Sequence, residues 1–192
     1  LQSSLKAGEV RTLPLVNTIA DGTAVKTPGT SIFPYLQENL DDIITIEDDE
    51  LIVAFLDVLE NHKLLVENSG LLTVAALRHL PAENKKIVSI LSGGNMDIIT
   101  LSSVVQNGLI QRSRIFTVSV CLPDVPGQLN KVSKIIADAQ GNVIKLEHNQ
   151  FISVNRNNSV ELIITMEAFG EDHKHAIIKS LQDAGYTPEE KN

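Results

Sequence analysis

The sequence predicts an α/β chain in two parts: alternating strands and helices over residues 1–112, then a ferredoxin-like βαββαβ domain over 113–192. Three observations predict it. Residues 87–91 (IVSIL) form a continuous apolar, β-branched run that stops at Ser92-Gly93-Gly94-Asn95, as a strand buried on both faces of a parallel sheet would. A helix-like segment begins at Asp97, completing the strand–turn–helix junction at which open α/β sheets bind ligands. From Ile115 the apolar period shortens to two residues, marking a change of architecture.

In the first part, residues 41–46 (DDIITI) read as a short strand. Thr45 or Asp48 then caps a helix to about Lys63, with Leu51, Ile52, Phe55, Val58 and Leu59 on one face. Asp48, Asp49 and Glu50 sit in its first turn, where the positive helix end favours acids. Residues 71–80 (LLTVAALRHL) are apolar nearly all round and predict a buried helix ended by Pro81. Residues 97–106 predict a helix stopped at Asn107-Gly108, with a short linker over 107–113.

In the second part, Phe116, Val118, Val120 and Leu122 alternate with Thr117, Ser119 and Cys121, a half-buried strand. The turn 123–127 (PDVPG) leads into a helix with Leu129, Val132, Ile135, Ile136 and Ala139 inward and Gly141 as terminator. Residues 143–147 and 159–166 are the next strands, the latter with Val160, Leu162, Ile164 and Met166 on one face. A helix over 172–184 ends at Gly185, and Tyr186 starts a short fourth strand.

Composition narrows the class. Apolar residues make up 43% and charged residues 21% of the 192, as in a globular protein. No apolar run approaches the ~20 residues of a membrane span, and without a charged, apolar, small-residue pattern at its start no leader is expected. A single cysteine, Cys121, excludes an internal disulfide and fits a reducing cytoplasm. The net charge of −8 argues against nucleic acid or anionic membrane as partner. It is uneven: fourteen acids oppose eight Lys/Arg up to Arg112, and ten oppose eight beyond. The chain starts at Leu1, and its methionines are Met96 and Met166, so it is expected to be a piece of something longer.

Three segments carry chemistry. Gly93 and Gly94 let backbone approach a flat ligand, and Ser92 brings a hydroxyl that otherwise bonds its local backbone. Glu67 follows Leu64-Leu65-Val66 and precedes Asn68-Ser69-Gly70, where it lines a site or caps the next helix. Ala20-Asp21-Gly22 is a tight turn, with Asp21 as turn former and Gly22 as the close-approach position. His173-Lys174-His175 has the wrong phase for a helical metal site and is expected at the surface. His62 and His79 stand alone, Cys121 is expected to be a packed thiol, and no metal site is expected.

IADGTAVKTPG (19–29), VENSG (66–70) and SGGN (92–95), in that order before a βαββαβ domain, resemble the C-terminal part of a pyridoxal-phosphate-dependent threonine dehydratase (threonine ammonia-lyase) with one ACT domain. The resemblance covers almost the whole chain. It implies part of a fold-type II (tryptophan synthase beta-like) catalytic domain over 1–112 and an ACT regulatory domain over 113–192. It further implies a lyase that converts L-threonine to 2-oxobutanoate and ammonia, in isoleucine biosynthesis or related amino-acid metabolism.

On this resemblance Ser92 meets the pyridine nitrogen of pyridoxal phosphate, with Gly93, Gly94, Glu67 and Gly22 beside the ring. A neutral hydroxyl there leaves the nitrogen largely unprotonated, which suits β-elimination over transamination. Asn68 departs from the Gly or Pro usual after that glutamate. Lys26 lies where the family carries a non-catalytic lysine. Neither the S-F-K-x-R-G-like Schiff-base lysine motif nor the glycine-rich phosphate loop occurs. The segment alone is therefore expected to be inactive, with no catalytic residue of its own.

In the second domain Asp124, Pro126, Gly127, Gln128 and Leu129 match the turn where ACT modules bind an amino-acid effector, isoleucine or valine being the candidates. Free amides at the helix start attract a carboxylate. His148-Asn149-Gln150 stands where the family usually has H-D-R, so a carboxylate clamp is lost. ACT pairing implies a homo-oligomer and allosteric regulation. A stand-alone amino-acid-binding or oligomerisation module is the rival, and serine dehydratase or racemase activity a second.

Overall fold

The computed structural model describes residues 1–81, 84–149 and 159–191. The chain divides into two compact units, Leu1–Val105 and Gln106–Asn192. Among the described residues, no helix is long and apolar enough to cross a membrane.

The first unit is organised around one helix. Helices α1 (Gln2–Ala7) and α2 (Phe33–Asn39) precede α3 (Asp48–His62). Its cap is Glu47, neither Thr45 nor Asp48: Glu47 and Glu50 form a reciprocal capping box. The Glu47 amide and the His79 ring hold the Glu50 carboxyl below the usual range. Lys63, at φ 58°, ends the helix. Leu51, Ile52, Ala54, Phe55, Leu56 and Val58 are buried against Ala20, Val66, Leu71, Ala75 and Val104.

Three expectations for this unit fail. Residues 71–80 do not form one buried helix. A 3₁₀ turn (Asn68–Leu71), the four-residue α4 (Leu72–Ala75) and a second 3₁₀ turn (Ala76–His79) replace it, with only Leu71 and Ala75 of the decapeptide buried. Residues 41–46 and 87–91 are not strands, and Val88 and Ile90 are 88% and 71% exposed. A strand exists only as part of a ladder, and no described segment of this unit supplies one. Side chains hold the second segment instead: Thr73 Oγ1 donates to the Ile90 carbonyl at 2.8 Å, and Ser89 Oγ to the Thr73 carbonyl at 3.2 Å.

Helix α5 (Ile98–Gln111) starts where expected, because Asp97 Oδ1 accepts the Ile99 and Thr100 amides at 2.9 and 3.0 Å. It does not stop at Asn107-Gly108. A glycine inside a helix costs about 1 kcal/mol, too little to end one that continues to a left-handed residue, Ser113, at φ 52°.

The second unit has the expected βαββαβ order. Strands β1 (Ile115–Pro123), β2 (Asn142–Asn149), β3 (Ser159–Glu167) and β4 (Pro188–Lys191) form one sheet in the order β2-β3-β1-β4. All three pairings are antiparallel, with Val118 opposite Ile164 and Glu190. Helices α6 (Gln128–Asp138) and α7 (Glu171–Asp183) bury Val132, Ile136, Ile177 and Leu181 against Phe116, Val118, Val120, Leu162, Ile164 and Met166.

Details of this unit differ from expectation. Leu129 is 42% exposed rather than inward, since it lies in the first turn of α6 beyond the sheet's cover. Gln140, at φ 62°, makes the left-handed turn after α6. Gly141 is there for space: a Cβ on it would lie 2.9 Å from Ile136 Cγ2 and 3.0 Å from Ile177 Cδ1. Cys121 is exposed, not packed, because it alternates onto the sheet face opposite Val120 and Leu122. His173 is half-buried: its Nε2 lies 2.8 Å from the Ala139 carbonyl, and its Nδ1 accepts the Phe169 amide at 3.0 Å.

Candidate functional site

Asp48 ties the first loop down. Its carboxylate accepts the Thr18 hydroxyl at 2.5 Å and the Ile19 amide at 3.1 Å, so the acids at the α3 N-terminus hold protein. From that anchor the chain enters the 3₁₀ turn Asp21–Thr23, where Asp21 Oδ1 accepts the Gly22 amide at 2.8 Å. Asn68 Nδ2 donates to the Ile19 carbonyl at 3.0 Å, fixing this loop against residues 66–70.

The third segment closes the group. The Glu67 amide donates to the Gly93 carbonyl at 3.4 Å, and the Asn95 amide to Glu67 Oε2 at 3.2 Å. Glu67 therefore does not cap the 3₁₀ turn that follows it; its carboxylate spans the glycine turn. Gly93 has φ 77°, and a Cβ on it would be 2.6 Å from Glu67 Oε2. A Cβ on Gly94 would be 3.2 Å from the Leu65 carbonyl oxygen. One on Gly70 would overlap the Ser92 carbonyl, 3.0 Å from its carbon. A Cβ on Gly22 would lie 2.9 Å from Ser69 Oγ and 3.9 Å from Glu67 Oε1.

All five residues expected from sequence thus fall in one place. Gly22 and Gly93 flank the Glu67 carboxylate, and Gly94 and Ser92 continue the same turn. Ser92 is exposed, and its hydroxyl makes none of the local backbone bonds open to a turn serine among the described residues. Sequence reasoning missed Asn68 and Ser69 as site residues. Asn68 Oδ1 and Ser69 Oγ are buried with no hydrogen-bond partner among the described residues. The available signal was that Asn68 and Ser69 extend the polar stretch begun by Glu67 between the apolar segments 64–66 and 71–72.

The model of the pyridoxal-phosphate dependent enzyme family matches residues 1–93. L-threonine ammonia-lyase of Geobacter sulfurreducens is 36% identical over 185 residues, 95% of this chain and 46% of the relative. The protein of the same name from Thermotoga maritima is 29% identical over 96% of the chain and 46% of its own length. The chain thus spans less than half the length of these curated relatives. Among solved structures, the processed form of threonine deaminase isoform 2 from Solanum lycopersicum superposes with a TM-score of 0.50 and 32% identity, covering 55% of this chain and 32% of that one.

In the second unit, the residues expected to form an effector turn also come together. Asp124, Pro126, Gly127, Gln128 and Leu129 line a cavity of about 310 Å³ together with His148. Gly127, at φ 90°, starts α6 without a side-chain cap, and Gln128 Oε1 accepts the Tyr186 hydroxyl at 3.2 Å. The Asn149 side chain and Gln150 lie outside the described residues.

Proposed function

We propose that the chain is part of a threonine dehydratase, a lyase taking L-threonine to 2-oxobutanoate and ammonia. One observation carries this. Gly22, Glu67 and Ser92–Gly94, far apart in sequence, converge in a segment that matches a pyridoxal-phosphate dependent family.

The residues fit the cofactor. Glycines at 22 and 93 keep side-chain volume away from Glu67, and the buried Ser69 oxygen lacks a partner beside them. When bound, pyridoxal phosphate supplies an electron sink for the bonds breaking at the substrate's α- and β-carbons. Ser92 would offer its hydroxyl to the ring nitrogen and, being neutral, would not hold a proton there. Glu67 orients Ser92 indirectly, by fixing the turn through the Asn95 amide. Gly22 would leave room for the cofactor ring beside Glu67 and Ser69.

The second unit, in this reading, is an ACT domain. Its effector, an amino acid such as isoleucine or valine, enters the cavity lined by Asp124, Pro126, Gly127, Gln128 and Leu129. The free amides at the start of α6 receive its carboxylate, and oligomers form through these domains in the cytoplasm.

The test is made on the full-length polypeptide of which this chain is proposed to be part. Uptake of pyridoxal phosphate and release of 2-oxobutanoate from threonine are expected. Faster turnover of serine than threonine would replace the substrate, and no uptake of pyridoxal phosphate would end the reading.

A further inference from the structure

We infer that Ser69 is a ligand-contacting residue of this same site, its hydroxyl reserved for bound pyridoxal phosphate; the inference rests on the cofactor reading above. Ser69 Oγ is sealed from water yet bonded to nothing among the described residues. Buried hydroxyls in folded proteins almost always have a partner, because losing water without replacement is unfavourable. An orphan therefore marks a group whose partner arrives later.

Position decides which partner. Ser69 Oγ and Glu67 Oε1 both face the point where a Gly22 side chain would stand. Glu67 Oε2 is occupied by the Asn95 amide, and Asn68 next door uses its amide nitrogen on Ile19 while its oxygen stays unpaired. Ser69 Oγ and Glu67 Oε1 thus stand together beside Gly22, where any larger residue would press on the serine oxygen. A serine can donate to a phenolate or phosphate oxygen as well as accept, which the neighbouring carboxylate cannot. Reorienting it needs only rotation about χ1.

Two measurements test this. In the 192-residue chain without ligand, Ser69→Ala deletes an unpaired hydroxyl, so its melting temperature should equal or exceed that of the parent chain. In the full-length polypeptide, Ser69→Ala should weaken pyridoxal phosphate affinity about fivefold to tenfold, the ordinary worth of one neutral hydrogen bond. Ser69→Thr, which keeps the hydroxyl, should stay within about twofold of the parent. A lower melting temperature for the alanine variant would show a structural partner and overturn the inference. So would unchanged cofactor affinity in a protein that does bind pyridoxal phosphate. Absence of binding by the unsubstituted full-length protein would instead remove the cofactor reading on which it stands.

Discussion

The carboxylate of Glu67 occupies the space that a side chain at position 93 would need. A Cβ on Gly93 would lie 2.6 Å from Glu67 Oε2, at a backbone φ of 77° that other residues rarely adopt. The glycine and the glutamate are one device: the first makes room, and the second fills it and binds the amide two residues on.

Gly93→Ala should therefore destabilise the first unit by about 1–3 kcal/mol, combining left-handed strain with displacement of Glu67. Urea unfolding followed by circular dichroism reads this directly. The double variant Gly93→Ala, Glu67→Ala should recover the steric part and leave the strain, so the two changes should not add. Strict additivity would refute the coupling.

Asp97 should give the start of α5 an acid-sensitive cap. The Thr100 hydroxyl, then the Thr100 and Ile99 amides, hold its carboxyl below the usual aspartate range. A folded pKa below the unfolded one of ~3.9 means the contribution is complete above that value and fades as pH falls through the lowered one. Asp97→Asn keeps a capping oxygen but cannot titrate, so its stability profile should be flatter below pH ~4. Parallel profiles for the two proteins would contradict this.

Glu171 provides a second, local test. The Ser113 hydroxyl, then the Lys174 ammonium, draws its carboxyl below the ordinary range. Ser113→Ala should let Glu171 titrate higher while its pairs with Lys174 and His175 persist. A carboxyl-carbon NMR titration resolves the shift, and an unmoved midpoint would count against the contact.

Cys121 should react with a thiol-labelling reagent in the folded protein. It is exposed on β1 while its neighbours Val120 and Leu122 are buried. Labelling by Ellman's reagent should proceed nearly as fast in buffer as in denaturant. Protection of more than about a hundredfold would mean the thiol is covered, since burial otherwise limits reaction to rare openings.

The second unit was largely legible in its sequence, because its strands and helices are partnered within the chain. Period-two alternation in Phe116–Leu122 and the amphipathic pattern of α6 and α7 each meet their complement there. Cys121 and Leu129 escaped because an alternating or helical pattern assigns a face, while cover depends on where neighbouring elements end. The first unit was legible in its two long helices, α3 and the start of α5, but not in segments 41–46, 71–80 and 87–91. The β-branched run 87–91 reads as a central strand, yet pairing is a property of two segments, and composition reports one. The 71–80 segment failed for a related reason: uniform apolarity carries no phase, so nothing in it distinguished one long helix from three short turns. The site survived these errors because turns fix it. Gly22 is held by a local bond to Asp21, and Gly93 and Glu67 are residue types whose roles identity announces even though their bonds join distant segments; Asn68 and Ser69 gained their meaning only from what surrounds them.

The extended segment 87–91 has a consequence for handling the protein. With Ile87, Val88, Ile90 and Leu91 all exposed and no ladder to its backbone among the described residues, it is expected to template intermolecular β-pairing. Lys85 and Lys86 just before it, and the Gly93-Gly94 pair just after, act as gatekeepers that limit how far such pairing can spread. Aggregation at high concentration is then expected to begin at this strip, and charge added beside Lys85 and Lys86 to slow it.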